Sequence, residues 1–244
     1  MDFFLENLIL IILIIIQSIF GIGLLLLGTP TFLLLGYDFS STLNFLLPSS
    51  IVISYLQFTS LKIPPKKIIF EYNIFCLPFL VLFLLLALNF KEILNFKFYV
   101  AIILIISSSL ALNKNTYSSL RKNILSYKKL ILIFIGSVHG LTNMGGGFLT
   151  IFSSLINKND KNLTRYFISY GYLIMGLLQY FILVCLEYRN LNFSKIYYIF
   201  LVLIIYFPSQ KIFKKVNNFL FSKIISIIAL FYGAIILIFN FFAV

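Results

Sequence analysis

The chain has 244 residues, 61% of them hydrophobic and only 11% charged, and a net charge of +12. A soluble domain is about half apolar and about a quarter charged, so composition excludes a soluble enzyme or binding module as the main body of the protein. The bases sit in short loops between apolar runs, with no arginine-rich face carrying interleaved aromatics, so nucleic acid is set aside as a partner and the lipid bilayer takes its place.

The N-terminus starts acidic, with Asp2 and Glu6, and leads straight into an apolar run, so it reads as retained rather than as a cleaved signal. Apolar segments follow over 3–36, 42–61, 68–90, 97–112, 130–156, 166–187, 194–208 and 224–243. Runs of roughly 18 or more apolar residues are candidates for membrane-spanning helices. The first and fifth are too long for one simple span and carry glycines in the middle: Gly21, Gly23 and Gly28 in one, Gly145, Gly146 and Gly147 in the other. Lys62–Lys67, with Pro64 and Pro65, reads as a turn. The polar stretch 113–129 reads as a linker between a first membrane repeat, 1–112, and a second, 130–244; Asn113, Asn115 and Asn123 weaken an interfacial helix there. Cys76 and Cys185 lie in apolar runs without metal-ligand or redox spacing and read as small buried hydrophobes.

The two halves correspond. Shifting the first by half the chain length places Gly23 on Gly145, Asp38 on Asp160, Thr42 on Thr164 and Gln57 on Gln179. Matches of Gly, Asp, Thr and Gln at one offset carry weight in a chain dominated by Leu and Ile, and internal repeats are a mark of secondary transporters.

Charge then decides the topology. If every segment crosses once, the bases divide almost evenly between the two faces, against the positive-inside expectation. If each glycine-broken segment instead enters and leaves on one face, all bases but Lys91, Lys97, Arg189 and Lys195 gather on the other side, and Asp2, Glu6, Asp38, Glu92 and Glu187 fall with those four. The fold expected is therefore all-α: a polytopic membrane protein of two inverted repeats. Each repeat has a glycine-broken helical hairpin plus three transmembrane helices, about 8–10 membrane segments in all. Both termini are expected on the extracytoplasmic side of the cell membrane. The first limb, Leu8 to Ile22, would be about 22 Å long at ~1.5 Å per residue, short of the ~30 Å hydrocarbon core.

Two such hairpins would bring their breaks to the middle of the protein. The helix that restarts at each break offers unpaired N–H groups and the positive end of its dipole, and glycines let an anion approach the backbone. Asn143-Met144-Gly145-Gly146-Gly147 fits that use best, whereas Gly21-Ile22-Gly23 reads first as close helix packing. His139, the one histidine, lies roughly 15 Å past Lys129 by helical rise and has Gln17 as its repeat partner. It suits either a switchable, proton-dependent anion contact or a neutral core role. Gln57 and Gln179 must find partners inside apolar helices, as ties between helices or as substrate ligands. Arg165 reads first as a snorkelling cytoplasmic anchor and second as an anion ligand. Asp38 and Asp160 read as helix caps. No hydrolytic, redox or nucleotide-binding constellation appears, so an enzyme, a metal and a cofactor are not expected.

These residues resemble the sulfite exporter TauE/SafE family, whose members carry a motif like F-G-x-G-G-G-x-L-x-x-P in each half. The first copy here is Phe20-Gly21-Ile22-Gly23-Leu24-Leu25-Leu26-Leu27-Gly28-Thr29-Pro30, with two glycines replaced by Leu24 and Leu25. The second is Thr142-Asn143-Met144-Gly145-Gly146-Gly147-Phe148-Leu149-Thr150-Ile151-Phe152, with Asn143 for a leading glycine and Phe152 for the proline. The resemblance implies a multi-pass permease for small anions such as sulfite or a sulfonate. The expectation is thus a secondary transporter of a small, sulfur-containing anion working by alternating access. The rivals are a passive anion channel and a non-transporting polytopic membrane protein. The expected substrate-binding residues are Asn143, Gly145, Gly146, Gly147, His139, Gln17, Gly21, Gly23, Gln57, Gln179 and Arg165. The partners are the anion and the bilayer, and a homo-oligomer is compatible with them.

Overall fold

The computed structural model describes residues 3–59, 66–157, 160–188, 191, 197–215, and 227, 230, 231 and 233–238. Among them the chain is helical, with no strand: α1 Phe3–Phe20, α2 Leu24–Leu34, α3 Phe39–Thr59, α4 Lys66–Asn89, α5 Phe96–Leu112, α6 Lys114–Thr142, α7 Gly146–Ile156, α8 Lys161–Glu187 and α9 Tyr198–Lys215, followed by helical residues 233–238. Three stretches, Phe39–Thr59, Lys67–Asn89 and Asn162–Glu187, are long and apolar enough to cross a membrane, and α1, α2, α5 and α7 are shorter apolar helices. Large hydrophobics such as Phe70, Phe181, Phe200, Ile204 and Phe207 face outward. Together these features are compatible with a membrane protein.

Both overlong segments are broken where the glycines indicated. In each, the first helix ends on a residue in the left-handed region, the usual way to stop a helix. Gly21 (φ +75°) does this after α1, and Asn143 (φ +62°) after α6. Each donates its backbone N–H 2.7 Å to the carbonyl four residues back, Gln17 and His139 respectively. Asparagine is among the few side chains that tolerate this conformation, so the turn needs no glycine at 143.

Both breaks reverse the chain. A methyl group on Gly28 of α2 would meet Leu13 of α1 at 3.1 Å, and Tyr37, just past α2, hydrogen-bonds the Glu6 carboxylate near the start of α1. Residues this far apart in one straight helix could not touch. In the second segment Phe134 and Phe148 pack edge to face at 5.0 Å, again across the break. Burial first, then the Glu6 hydrogen bond, raises the Tyr37 phenol well above its ordinary range, so it remains the donor that closes the first hairpin.

Asp38 and Asp160 cap α3 and α8. The Asp38 carboxylate accepts from the Ser41 N–H at 2.9 Å, and that of Asp160 from Asn162 and Leu163 at 2.9 and 3.0 Å. Asp38, Glu92, Lys91 and Lys97 line one cleft of about 440 Å³, and Lys91 pairs with Glu187 beside it. Asp38, Glu92 and Glu187 thus share one end of the molecule with Lys91 and Lys97.

Three readings change. The polar 113–129 stretch is no separate linker: α6 starts at Lys114 and runs through it, held by the buried Ile124 and by Lys128 paired with Glu71 of α4. The last turns of α9 take in Lys211–Lys215, which sequence alone placed in a loop. Cys76 is buried, as expected, but Cys185 is exposed. The Pro64–Pro65 turn lies outside the described residues.

α6 lies against α4, α3 against α8, and α1 against α9. The α4–α6 seam is closed by Gly136 and Gly140, one turn apart: a Cβ on Gly136 would sit 2.1 Å from the Cys76 carbonyl oxygen, and one on Gly140 2.3 Å from that of Leu80. Backbone cannot swing aside as a side chain can. Gly136→Ala is expected to destabilise the protein by about 1–3 kcal/mol through overpacking, read as a lower unfolding temperature in detergent. An unchanged melting curve would contradict this packing.

Candidate functional site

α8 is the rail along which the site is laid out. Arg165, Tyr172 and Gln179 recur every seven residues, two helical turns, and so share one face. Arg165 meets the first break, Tyr172 the second, and Gln179 the end of α6 behind it.

At the first break the last carbonyls of α1 lack partners within the helix, and that of Gln17 is met by the Gly21 N–H. Gln57 of α3 donates 2.7 Å to the Gln17 carbonyl. The Ser18 carbonyl accepts from three donors: Arg165 Nη2 at 2.8 Å, Gln210 Nε2 at 3.1 Å and Gln57 Nε2 at 3.3 Å. Arg165 Nη2 also donates to Gln210 Oε1 at 2.8 Å, and the guanidinium lies 3.8 Å from the centre of the Phe213 ring. The Gln17 side chain turns to α3 and donates to Ser50 Oγ at 3.0 Å and Ser54 Oγ at 3.3 Å. Arg165 Cγ is 3.4 Å from where a Cβ of Gly21 would stand.

Arg165 therefore departs from the anchor reading. It does not snorkel: it is 3% exposed, its Nε has no hydrogen-bond partner, and it forms no ion pair among the described residues. The one buried acid among them, Glu6, sits near the opposite end of α1. Proximity to Lys161 in sequence suggested the loop, but α8 starts at Lys161, so Arg165 is already one turn inside, on the face turned to the hairpin.

The second break repeats part of this pattern. Gln179 Nε2 reaches the His139 carbonyl at 3.5 Å, as Gln57 reaches that of Gln17, and Gln179 Oε1 lies 3.1 Å from His139 Nε2. The Asn143 amide donates to Thr29 Oγ1 of α2 at 3.0 Å, which ties the second tip to the first hairpin. Over Gly146 stands the Tyr172 hydroxyl, 1.5 Å from where a Cβ would be. Tyr172 Oη, Asn143 Oδ1 and His139 Nδ1 are buried, with no hydrogen-bond partner among the described residues. Tyr172 Oη packs on Gly146, the first residue of α7, His139 Cβ lies 2.6 Å from where a Cβ of Gly145 would stand, and Asn143 is two residues before Gly145.

The expected set thus divides in two: Gln17, Gly21, Gln57 and Arg165 at the first break, and His139, Asn143, Gly145, Gly146 and Gln179 at the second. Two members stand apart. Gly23 packs on Ile16, where a Cβ would come within 2.4 Å, and Gly147 faces Ser107 and Leu26. Sequence reasoning missed Gln210, Tyr172, Thr29, Ser50 and Ser54. Gln210 carried a signal like that of Gln57, an amide in an apolar helix, but lay beyond the boundary drawn at 208. Tyr172 is one of 15 tyrosines, and nothing in its neighbourhood marks it. Among the described residues no group of acidic, His and Cys side chains could hold a metal. No family model, no curated protein and no solved structure matches this chain.

Proposed function

We propose that this protein is a secondary transporter of a small anion in the cell membrane, working by alternating access about two hairpin tips. The observation that carries the reading is Arg165. A buried guanidinium without a carboxylate costs several kcal/mol even after relaxation. The C-terminus of α1, against which it rests, offers only about half a negative charge. A mobile anion would supply the remainder when bound, and the cost that returns on its departure favours capture of the next one.

Inverted repeats account for the other pairings. Gln57 with Gln17 and Gln179 with His139 make one interaction twice, and Gly21 and Asn143 make one turn twice. Along α8 the first tip lies at Arg165 and the second at Tyr172, with the Asn143–Thr29 bond between hairpins. With Arg165 removed from the loops, the remaining bases still favour one face by a wide margin, and the 440 Å³ cleft holding Lys91 and Lys97 sits at the base-poor end. The resemblance to the sulfite exporter TauE/SafE family favours a sulfur oxyanion, sulfite or a sulfonate, as the cargo.

Flux of sulfite and of methanesulfonate into proteoliposomes tests this. Saturable uptake with counterflow is expected. Unitary current across a planar bilayer would instead make the protein a passive channel, and no anion movement from folded protein would end the proposal.

A further inference from the structure

The second tip carries a polarity that a bare anion cup would not. Gln179 fixes it. The Gln179 Nε2 faces a backbone carbonyl, that of His139, which can only accept, so the amide orientation is set and Oε1 is the atom turned to the ring. Oε1 can only accept in turn, so the proton of a neutral imidazole sits on Nε2. Nδ1 is then left as a lone pair. It is buried and has no donor facing it among the described residues, and neither has the Asn143 carbonyl oxygen. The donors nearby are the Tyr172 hydroxyl, whose ring meets that of His139 edge to face at 5.9 Å, and the N–H of Gly146 at the start of α7, since that of Gly147 bonds the Met144 carbonyl at 3.4 Å.

The groups packed on His139 carry no formal charge. α8 supplies Tyr172 and Gln179, the nearby seam with α4 supplies Cys76 opposite Gly136, and α7 starts at Gly146. A fully deprotonated oxyanion would satisfy the donors here but would set its own lone pairs against Nδ1 and Asn143 Oδ1. An oxyanion that still carries an O–H would satisfy both kinds of group at once.

We infer that the second hairpin tip selects a monoanion bearing an O–H donor, with His139 Nδ1 accepting that hydrogen and Tyr172 and the Gly146 N–H holding the anionic oxygens. This rests on the anion reading above and narrows it to singly protonated sulfite over a sulfonate, which carries no O–H. His139 is then a specificity residue that touches the ligand, and Gln179 a positioning residue that sets its tautomer.

The test compares two tetrahedral monoanions of nearly one shape, methylphosphonate at a pH where it keeps one proton and methanesulfonate, which has none to keep. Binding to the purified full chain in detergent is measured by calorimetry. Methylphosphonate is expected to bind at least about tenfold more tightly, because a site built to pair an O–H discriminates strongly against an analogue without one. His139→Gln reproduces the residue that the first repeat carries at this position and keeps the backbone carbonyl for Gln179, so folding is expected to survive. In it the preference should fall toward unity. Gln179→Leu frees the tautomer and should also erode the preference, with the affinity for methanesulfonate holding or rising. Tyr172→Phe should weaken both ligands and leave their ratio. Equal binding of the two anions to the unaltered protein, or a ratio unchanged in His139→Gln, overturns this inference alone. Binding of neither overturns the anion site itself.

Discussion

Arg165→Gln is expected to cut anion flux in proteoliposomes by at least roughly thirtyfold, because losing one partner of a buried charged contact costs about 2 kcal/mol or more. The same variant should melt no lower than the unaltered protein. Its guanidinium is buried without a carboxylate among the described residues, and replacing an uncompensated buried charge by a neutral side chain is often stabilising. That split separates the two roles open to this residue. If Arg165 merely closed the end of α1 through the Ser18 carbonyl, its loss would lower stability, as loss of a helix cap does, and leave transport alone. Gln210→Leu makes a graded comparison: it removes a neutral donor from that carbonyl, worth about 1 kcal/mol, and should slow flux only several-fold. Normal flux in Arg165→Gln would move the site away from the first tip.

The second large effect is expected at Gly146. An alanine there would put its methyl group 1.5 Å from the Tyr172 oxygen and 2.3 Å from Cζ, so the whole ring must leave its place. Overpacking of this kind costs about 1–3 kcal/mol, and the ring that moves is the one that closes the α7 end of the site. Flux should fall by more than about tenfold, and the unfolding temperature should drop by several degrees. Gly147→Ala is the matched control. Its nearest neighbours are the Ser107 side-chain atoms at 3.1 Å, which need to yield by only a few tenths of an ångström, so most activity should remain. A Gly146→Ala protein that transports at the normal rate would place the pathway elsewhere.

Much of this was legible before any coordinates. The two breaks were visible because long apolar runs interrupted by glycines leave few alternatives, and the need of Gln57 and Gln179 for partners was visible because polar residues are scarce there. What misled was proximity in sequence. Arg165 follows Lys158 and Lys161 and so looked like a loop base, although one turn of helix suffices to carry a side chain from the surface into the interior. The 113–129 stretch looked like a linker because its asparagines are poor helix formers, yet packing of Ile124 and the Lys128–Glu71 pair outweigh a few tenths of a kcal/mol each. Asn143 looked like a damaged motif, whereas its φ of +62° shows it performing the glycine's task.

By itself the sequence determined that the chain is helical and apolar and where its two long segments break. These follow from composition and local backbone preference, which each residue carries with it. Only the tertiary structure decided that Arg165 is enclosed, that Gln210 joins it from α9, that the Tyr172 hydroxyl stands over Gly146, and that Gln179 sets the face His139 presents. Each of these is a meeting of residues far apart in the chain, fixed by how helices pack against one another, and no local preference encodes it.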